Sequence, residues 1–149
     1  MSPLISLYLS PTIGWAVFTD GKVSHIGEAE TQVEKPLQFL NSLQQFYDQA
    51  HLHQYSEVLI VRTGPGNGFT QKARVMLAGL RDGIREIDCR AVKDLLGNPM
   101  ISKRGIMDAG RKQWPHLEIK TAEAAIAAFA GVAYCQTSTG RRQTSTLAI

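Results

Sequence analysis

Asp20-Gly21 restricts this chain more than any other pair of residues. An Asp-Gly step between two strand-like runs is a strong hairpin signal, because both residues tolerate the left-handed backbone of a tight turn. It joins Ile13–Thr19 to Lys22–Gly27. Upstream, Leu4–Leu9 is a third run of β-branched, aromatic and aliphatic residues, separated from the second by the turn-like Ser10-Pro11-Thr12. Three short strands joined by tight turns predict an antiparallel meander at the N-terminus.

The pattern then changes period. Between Glu34 and about His51, Leu37, Leu40, Leu43, Phe46 and Tyr47 recur at helical steps. Pro36 suits a first helical turn. Glu57–Val61 is a nearly continuous apolar strand, the kind expected in the middle of a sheet. The loop RTGPGNGF, starting at Arg62, leads into a helix from Thr70, its predicted N-cap, to about Leu80. Ile84–Ile87 reads as a fifth strand, and Arg90–Leu96 as a short helix closed by Gly97-Asn98-Pro99. Ser102 caps a further helix that ends near Trp114, and Glu118–Lys120 reads as a short extended piece. Thr121 caps a final alanine-rich helix, whose small side chains imply close packing on a sheet. This order predicts an α/β fold: a three-stranded antiparallel meander plus parallel strands in a mixed five-stranded sheet, with helices on both faces. Residues 1–136 are expected to form one domain and 137–149 a flexible tail.

No stretch approaches the ~20 apolar residues of a membrane span, so no membrane partner is expected. MSPLISLYLSP has no basic segment before its apolar run, so no signal peptide is expected either. Two cysteines, Cys89 and Cys135, fit buried thiols of a cytoplasmic protein. Cys135 has no histidine placed beside it to make it a nucleophile. His25, His51, His53 and His116 are scattered and no CxxC is present, so no zinc site and no cofactor is expected.

Charge is unevenly placed. Residues 1–61 carry two lysines against six acids, net −4, and residues 62–149 carry 14 basic residues against seven acids, net +7. A basic half attracts polyanions, DNA or RNA among them, although a basic block in sequence need not form one face. The candidate phosphate contacts are Arg62, Lys72, Arg74, Lys103, Arg104, Arg111 and Lys112. On the helix after Ser102, Arg104, Asp108 and Arg111 share a face. That face is either a nucleic-acid contact, which positions without reading sequence, or a solvated surface with an internal ion pair. The glycine-rich loop after Arg62 is either an anion cradle at a helix start or a ligand-free tight turn. It lacks the Gly-Lys-Ser/Thr end of a P-loop. Trp15 and Trp114 admit a base-stacking reading and a packing reading, the latter favoured by the strand alternation around Trp15. Tyr8 reads as strand packing.

Val92-Lys93, Gly97, Ser102-Lys103 and the helix opening Ala122-Glu123-Ala124-Ala125 together resemble the RuvC Holliday junction resolvase family, of ribonuclease-H-like architecture, over nearly the whole chain. The resemblance implies a homodimer acting on branched DNA, with the helix around Leu77 contributing to the dimer if its apolar residues are exposed. It also implies a two-metal nuclease site: an Asp in the first strand, a Glu at the end of the fourth, and one or two Asp at the last helix. Here the first-strand position falls on Ser10 or Leu9, the fourth-strand position on Arg62 or Thr63, and only Glu123 is an acid where one is expected. Hard divalent cations need several converging carboxylates, so the expectation is a degenerate, inactive nuclease that still binds nucleic acid. The alternative is a divergent Mg²⁺-dependent structure-specific endonuclease, using Glu123 with Asp20, Asp108 or Glu118. A further alternative comes from Gly64-Pro65-Gly66-Asn67-Gly68-Phe69-Thr70, which is similar to the Gly-Pro-Gly-Ser-Phe-Thr loop of the TsaB-type tRNA-modification partner protein and implies a protein-partner scaffold.

Overall fold

The structure, a computed structural model, describes residues 3–31, 35–62 and 68–148. Strands β1 (Leu4–Tyr8), β2 (Thr12–Thr19) and β3 (Lys22–Glu30) form the antiparallel meander. Asp20 and Gly21 turn the β2–β3 hairpin at φ 56° and 79°, the left-handed conformations that this dipeptide accepts. β3 continues three residues beyond the expected Gly27, because Glu28–Glu30 keep pairing with Thr12–Gly14 of β2.

Helix α1 (Pro36–Gln49) follows, then a 3₁₀ turn (Leu52–Gln54), strand β4 (Glu57–Arg62), helix α2 (Gly68–Leu80) and strand β5 (Ile84–Asp88). β4 pairs in parallel with both β1 and β5, giving the sheet order β3-β2-β1-β4-β5. Helices α3 (Arg90–Leu96), α4 (Lys103–Gln113) and α5 (Ala122–Ala148) complete the chain. This is the ribonuclease-H-like fold, a mixed five-stranded sheet covered by helices on both faces.

Alternation along the central strands makes two cores. Ile5, Leu7, Leu9, Val58 and Ile60 point to one layer and pack on Phe39, Leu43 and Tyr47 of α1 and Ala73 and Leu77 of α2. Leu4, Tyr8, Leu59 and Val61 point to the other and pack on Val92, Ile106 and the alanine-rich face of α5. That helix lies unusually close to the sheet. A Cβ on Gly14 would sit 2.2 Å from the Glu123 carbonyl carbon, and one on Gly131 would sit 2.1 Å from the Phe18 ring. Glycine at these two points lets α5 rest against β2 along both its first and its third turns.

Local signals held where they were purely local. The Ser102 hydroxyl accepts the Gly105 N–H at 3.0 Å, and Thr121 Oγ1 accepts the Ala124 N–H at 3.2 Å. Gly97 closes α3 at φ 68°. Other expectations are corrected. α2 begins at Gly68, so Thr70 lies inside the helix and is not its cap. Glu118–Lys120 joins no strand of the sheet. α5 spans Ala122–Ala148. Cys89 and Cys135 are half-buried rather than buried. The glycine-rich loop, residues 63–67, and Glu34 lie outside the described residues.

Candidate nucleic-acid interface

β1, β4 and β5 run in parallel and end on the same side of the sheet. In open α/β sheets that side is where crevices for ligands form. A cleft of about 690 Å³ lies there, between the end of β1 and helices α3, α4 and α5. Its polar lining is Asp88 at the end of β5, Arg90, Lys93 and Asp94 on α3, and Lys103 at the start of α4. Its apolar lining is Tyr8, Cys89, Pro99, Ile101, Ile106 and Ile126.

The burial of these groups is graded. Tyr8, Ile106 and Ile126 are 6%, 2% and 1% exposed and form the floor. Arg90, Asp94, Pro99 and Lys103 are exposed and form the rim. Lys103 joins the two: its Nζ lies 5.6 Å from the centroid of the Tyr8 ring, a cation–π contact. Asp88 is already engaged. Its Oδ1 accepts the backbone N–H of Arg90 at 2.9 Å, which fixes the start of α3, and its Oδ2 lies 3.5 Å from the Arg62 guanidinium. Arg62 and Asp88 are register partners across β4 and β5, both half-exposed. An ion pair this open to water contributes less than ~1 kcal/mol, but it holds Arg62 beside the cleft.

Cys89 does not supply a nucleophile. Burial pushes its thiol up, Lys93 and Lys103 pull it back, and Asp88 adds to the rise, so the balance favours the thiol over the thiolate. Cys135 is also pushed up, by burial and then by Glu57.

The residues at the expected metal positions are not a set of carboxylates. Ser10 donates its hydroxyl to the Thr12 carbonyl at 2.7 Å, in the turn that leads into β2. Arg62 carries a positive charge where a cation would need a carboxylate. Glu123 lies in the first turn of α5, one turn before Ile126. Among the described residues, no three His, Cys, Asp or Glu side chains are grouped so as to hold a metal ion. A Mg²⁺ pair therefore does not fit these side chains.

The basic residues singled out in the sequence divide between two layers. Lys103, Arg104, Arg111 and Lys112 lie on α4, in the layer of the cleft, and Arg62 lies at its edge. Arg111 is partly committed, because its Nε donates to the Ile119 carbonyl at 3.1 Å and so holds the connection into α5. Lys72 and Arg74 lie on α2, across the sheet, and Arg74 pairs with Glu86 at 3.3 Å. Trp114 is 7% exposed and packs on Phe129 at 4.9 Å between ring centroids, which removes it from base stacking. Leu77 is fully buried, whereas Val75 and Leu80 on the same helix are 68% and 42% exposed.

Sequence reasoning missed Lys93, Arg90, Asp94 and the role of Tyr8 in the cleft. A partial signal existed: the Val92-Lys93 pair buries valine and leaves lysine on the neighbouring face of a two-turn helix. It also missed Glu28. This β3 residue pairs with Gly14, directly beneath the start of α5, and its Oε1 is buried with no hydrogen-bond partner among the described residues. Burial raises its pKa, Lys120 opposes the rise and Glu118 adds to it.

No protein-family model and no curated protein sequence matches the chain. Solved structures do. The chain is similar to RuvC of Thermus thermophilus, with 16% identity and a TM-score of 0.62 over 92% of this chain and 97% of that one. It is similar to the same protein in complex with a Holliday junction substrate, with 15% identity and a TM-score of 0.63 over 93% and 98%. It is also similar to the Fowlpox virus resolvase in complex with substrate Holliday junction DNA, with 11% identity and a TM-score of 0.61 over 91% and 98%. At these identities the likeness establishes the shared ribonuclease-H-like fold.

Among the described residues, no helix is long and apolar enough to cross a membrane.

Proposed function

We propose that this chain is a RuvC-like nucleic-acid-binding protein whose nuclease site has degenerated. DNA or RNA is the partner, and branched DNA is the first candidate, since two of the similar structures hold Holliday junctions. One observation carries the reading. At the carboxyl ends of the parallel strands, where metal-dependent enzymes of this architecture converge carboxylates, this chain has Ser10, Arg62 and a cleft rimmed by Arg90, Lys93 and Lys103. Those side chains attract phosphates directly, without an intervening cation. α4 extends the basic surface through Arg104 and Lys112, and contacts of this kind fix a backbone in place without reading its bases.

The exposure of Val75 and Leu80 on α2 supports a homodimer through that helix. Sedimentation of the chain with and without Val75→Glu tests it: a shift of a dimer to monomer supports the assembly, and a monomer throughout rejects it. The half-buried free thiols suit a reducing cytoplasm.

Titration against labelled four-way-junction, duplex and single-stranded DNA, at two salt concentrations and with Mg²⁺, Mn²⁺ or chelator, tests the main reading. Metal-independent, salt-sensitive binding without cleavage supports it. Metal-dependent cleavage abolished by Glu123→Gln rejects it in favour of the endonuclease.

A further inference from the structure

A groove that only tracks a sugar–phosphate backbone needs cations spread along an open surface. The cleft beside α3 and α4 is built differently. Its rim cations converge on one opening, and behind them lies a closed apolar floor of Tyr8, Ile106 and Ile126, each at most 6% exposed. Its volume of about 690 Å³ is in the range of small-molecule sites rather than of a polymer track.

Charge sets a second limit. Arg90, Lys93 and Lys103 face two carboxylates, Asp88 and Asp94, of which Asp88 is held by Arg62 and the Arg90 amide. That balance suits one phosphate and not a run of them. A third observation is independent of charge. Tyr8 is 6% exposed and lines the cleft, and its hydroxyl makes no hydrogen bond among the described residues. The hydroxyl is not one of the buried unpartnered atoms, so it opens to the cleft and is available to a polar group that enters it.

From these we propose that the cleft is a single-nucleotide pocket: one unstacked nucleotide inserts with its base against the Tyr8, Ile106 and Ile126 floor and its phosphate at Lys93 and Lys103. The inference rests on the nucleic-acid reading above and makes it more specific. The positive end of α4 lies beside the phosphate position, which adds to the attraction of the two lysines. The Tyr8 hydroxyl meets a polar edge of the base or the sugar. Because no side chain in the cleft stacks two bases in succession, the site accepts a nucleotide that has left its helix, from a bulge, a gap or a junction centre, or a free nucleotide of the same chemistry.

The test uses the full chain and three probes: a fully paired duplex containing 2-aminopurine, the same duplex with the 2-aminopurine as a single-nucleotide bulge, and adenosine 5′-monophosphate. The bulged duplex is expected to bind about tenfold or more tightly than the paired one at equal salt, as base–aromatic contact allows, with a change in 2-aminopurine emission. Tyr8→Phe, which keeps the packing, is expected to reduce that excess about threefold. Lys93→Gln is expected to reduce it further, and circular dichroism confirms that both variants are folded. Equal affinity for the two duplexes overturns the pocket and leaves the nucleic-acid reading standing. Binding of adenosine monophosphate alone supports the pocket with a free nucleotide as its source and rejects the nucleic-acid reading. Binding of none of the three overturns both.

Discussion

The ammonium of Lys103 lies 5.6 Å from the centre of the Tyr8 ring, joining the first residue of α4 to the last residue of β1. One charged side chain thus covers the carboxyl end of β1. The contact is also a local measure of how far the cleft is committed to anions.

Replacing Lys103 with Met keeps the stem over the ring and removes the charge. Stability falls by only about 0.5–1 kcal/mol, the value of an exposed cation–π contact. Nucleic-acid affinity falls more at low salt, and the slope of log Kd against log salt decreases by about one. Lys72→Met, on α2 across the sheet, leaves the slope unchanged. Equal effects of the two variants would mean that the cleft side of the molecule is not the interface.

Gly14→Ala places a methyl group 2.2 Å from the Glu123 backbone. Backbone cannot rotate aside as a side chain does, so α5 shifts off β2. The expected loss is about 1–3 kcal/mol or more, measured by urea denaturation. Gly79→Ala on α2, where a Cβ meets nothing within 4 Å, is the control and stabilises by up to about 1 kcal/mol through helix propensity.

Glu28 makes stability depend on pH in a particular direction. Its pKa is raised above the ordinary 4.5, chiefly by burial. The folded state therefore holds the proton more tightly than the unfolded state. Its contribution is fully present below pH 4.5 and is lost as pH rises through the folded pKa. Glu28→Gln, which carries no charge to desolvate, is accordingly expected to be more stable than the parent at pH 7, with the advantage shrinking on acidification. Thermal melts of both proteins across that range check this; an advantage that grows with acidification would show that the carboxylate is stabilised by Lys120 instead.

Trp114→Ala removes a buried ring that packs on Phe129. A loss of about 3–5 kcal/mol is expected, as for other large core truncations. Trp114→Phe retains most of the stability and leaves nucleic-acid affinity unaltered. Reduced affinity in the folded Phe variant would return Trp114 to the stacking residues.

Features carried by a few adjacent residues were legible. The Asp20-Gly21 turn, the Ser102 and Thr121 caps and the Gly97 stop each depend on backbone geometry within four residues. The sheet was legible too, since Leu4–Tyr8 is apolar but for Ser6 and Val58–Val61 is apolar throughout, and only a strand covered on both faces can bury all of that surface. The start of α2 was misread because Thr70 is a good cap by type, and residue type does not say which of several polar or glycine positions the chain uses. The sequence left open whether the basic half of the chain forms one face. The sheet passes between α2 and α4 and separates it into two.

By itself the sequence determined the order of strands and helices and the two-sided core, because each follows from residue type and local spacing. Tertiary structure alone decided that Tyr8, Asp88, Lys93, Lys103 and Ile126 share one cleft. They come from five elements, and parallel pairing of β1, β4 and β5 brings those elements to one end of the sheet. Such pairings are set by the burial of apolar faces far apart in the chain, and no local pattern encodes which residues will meet at their ends.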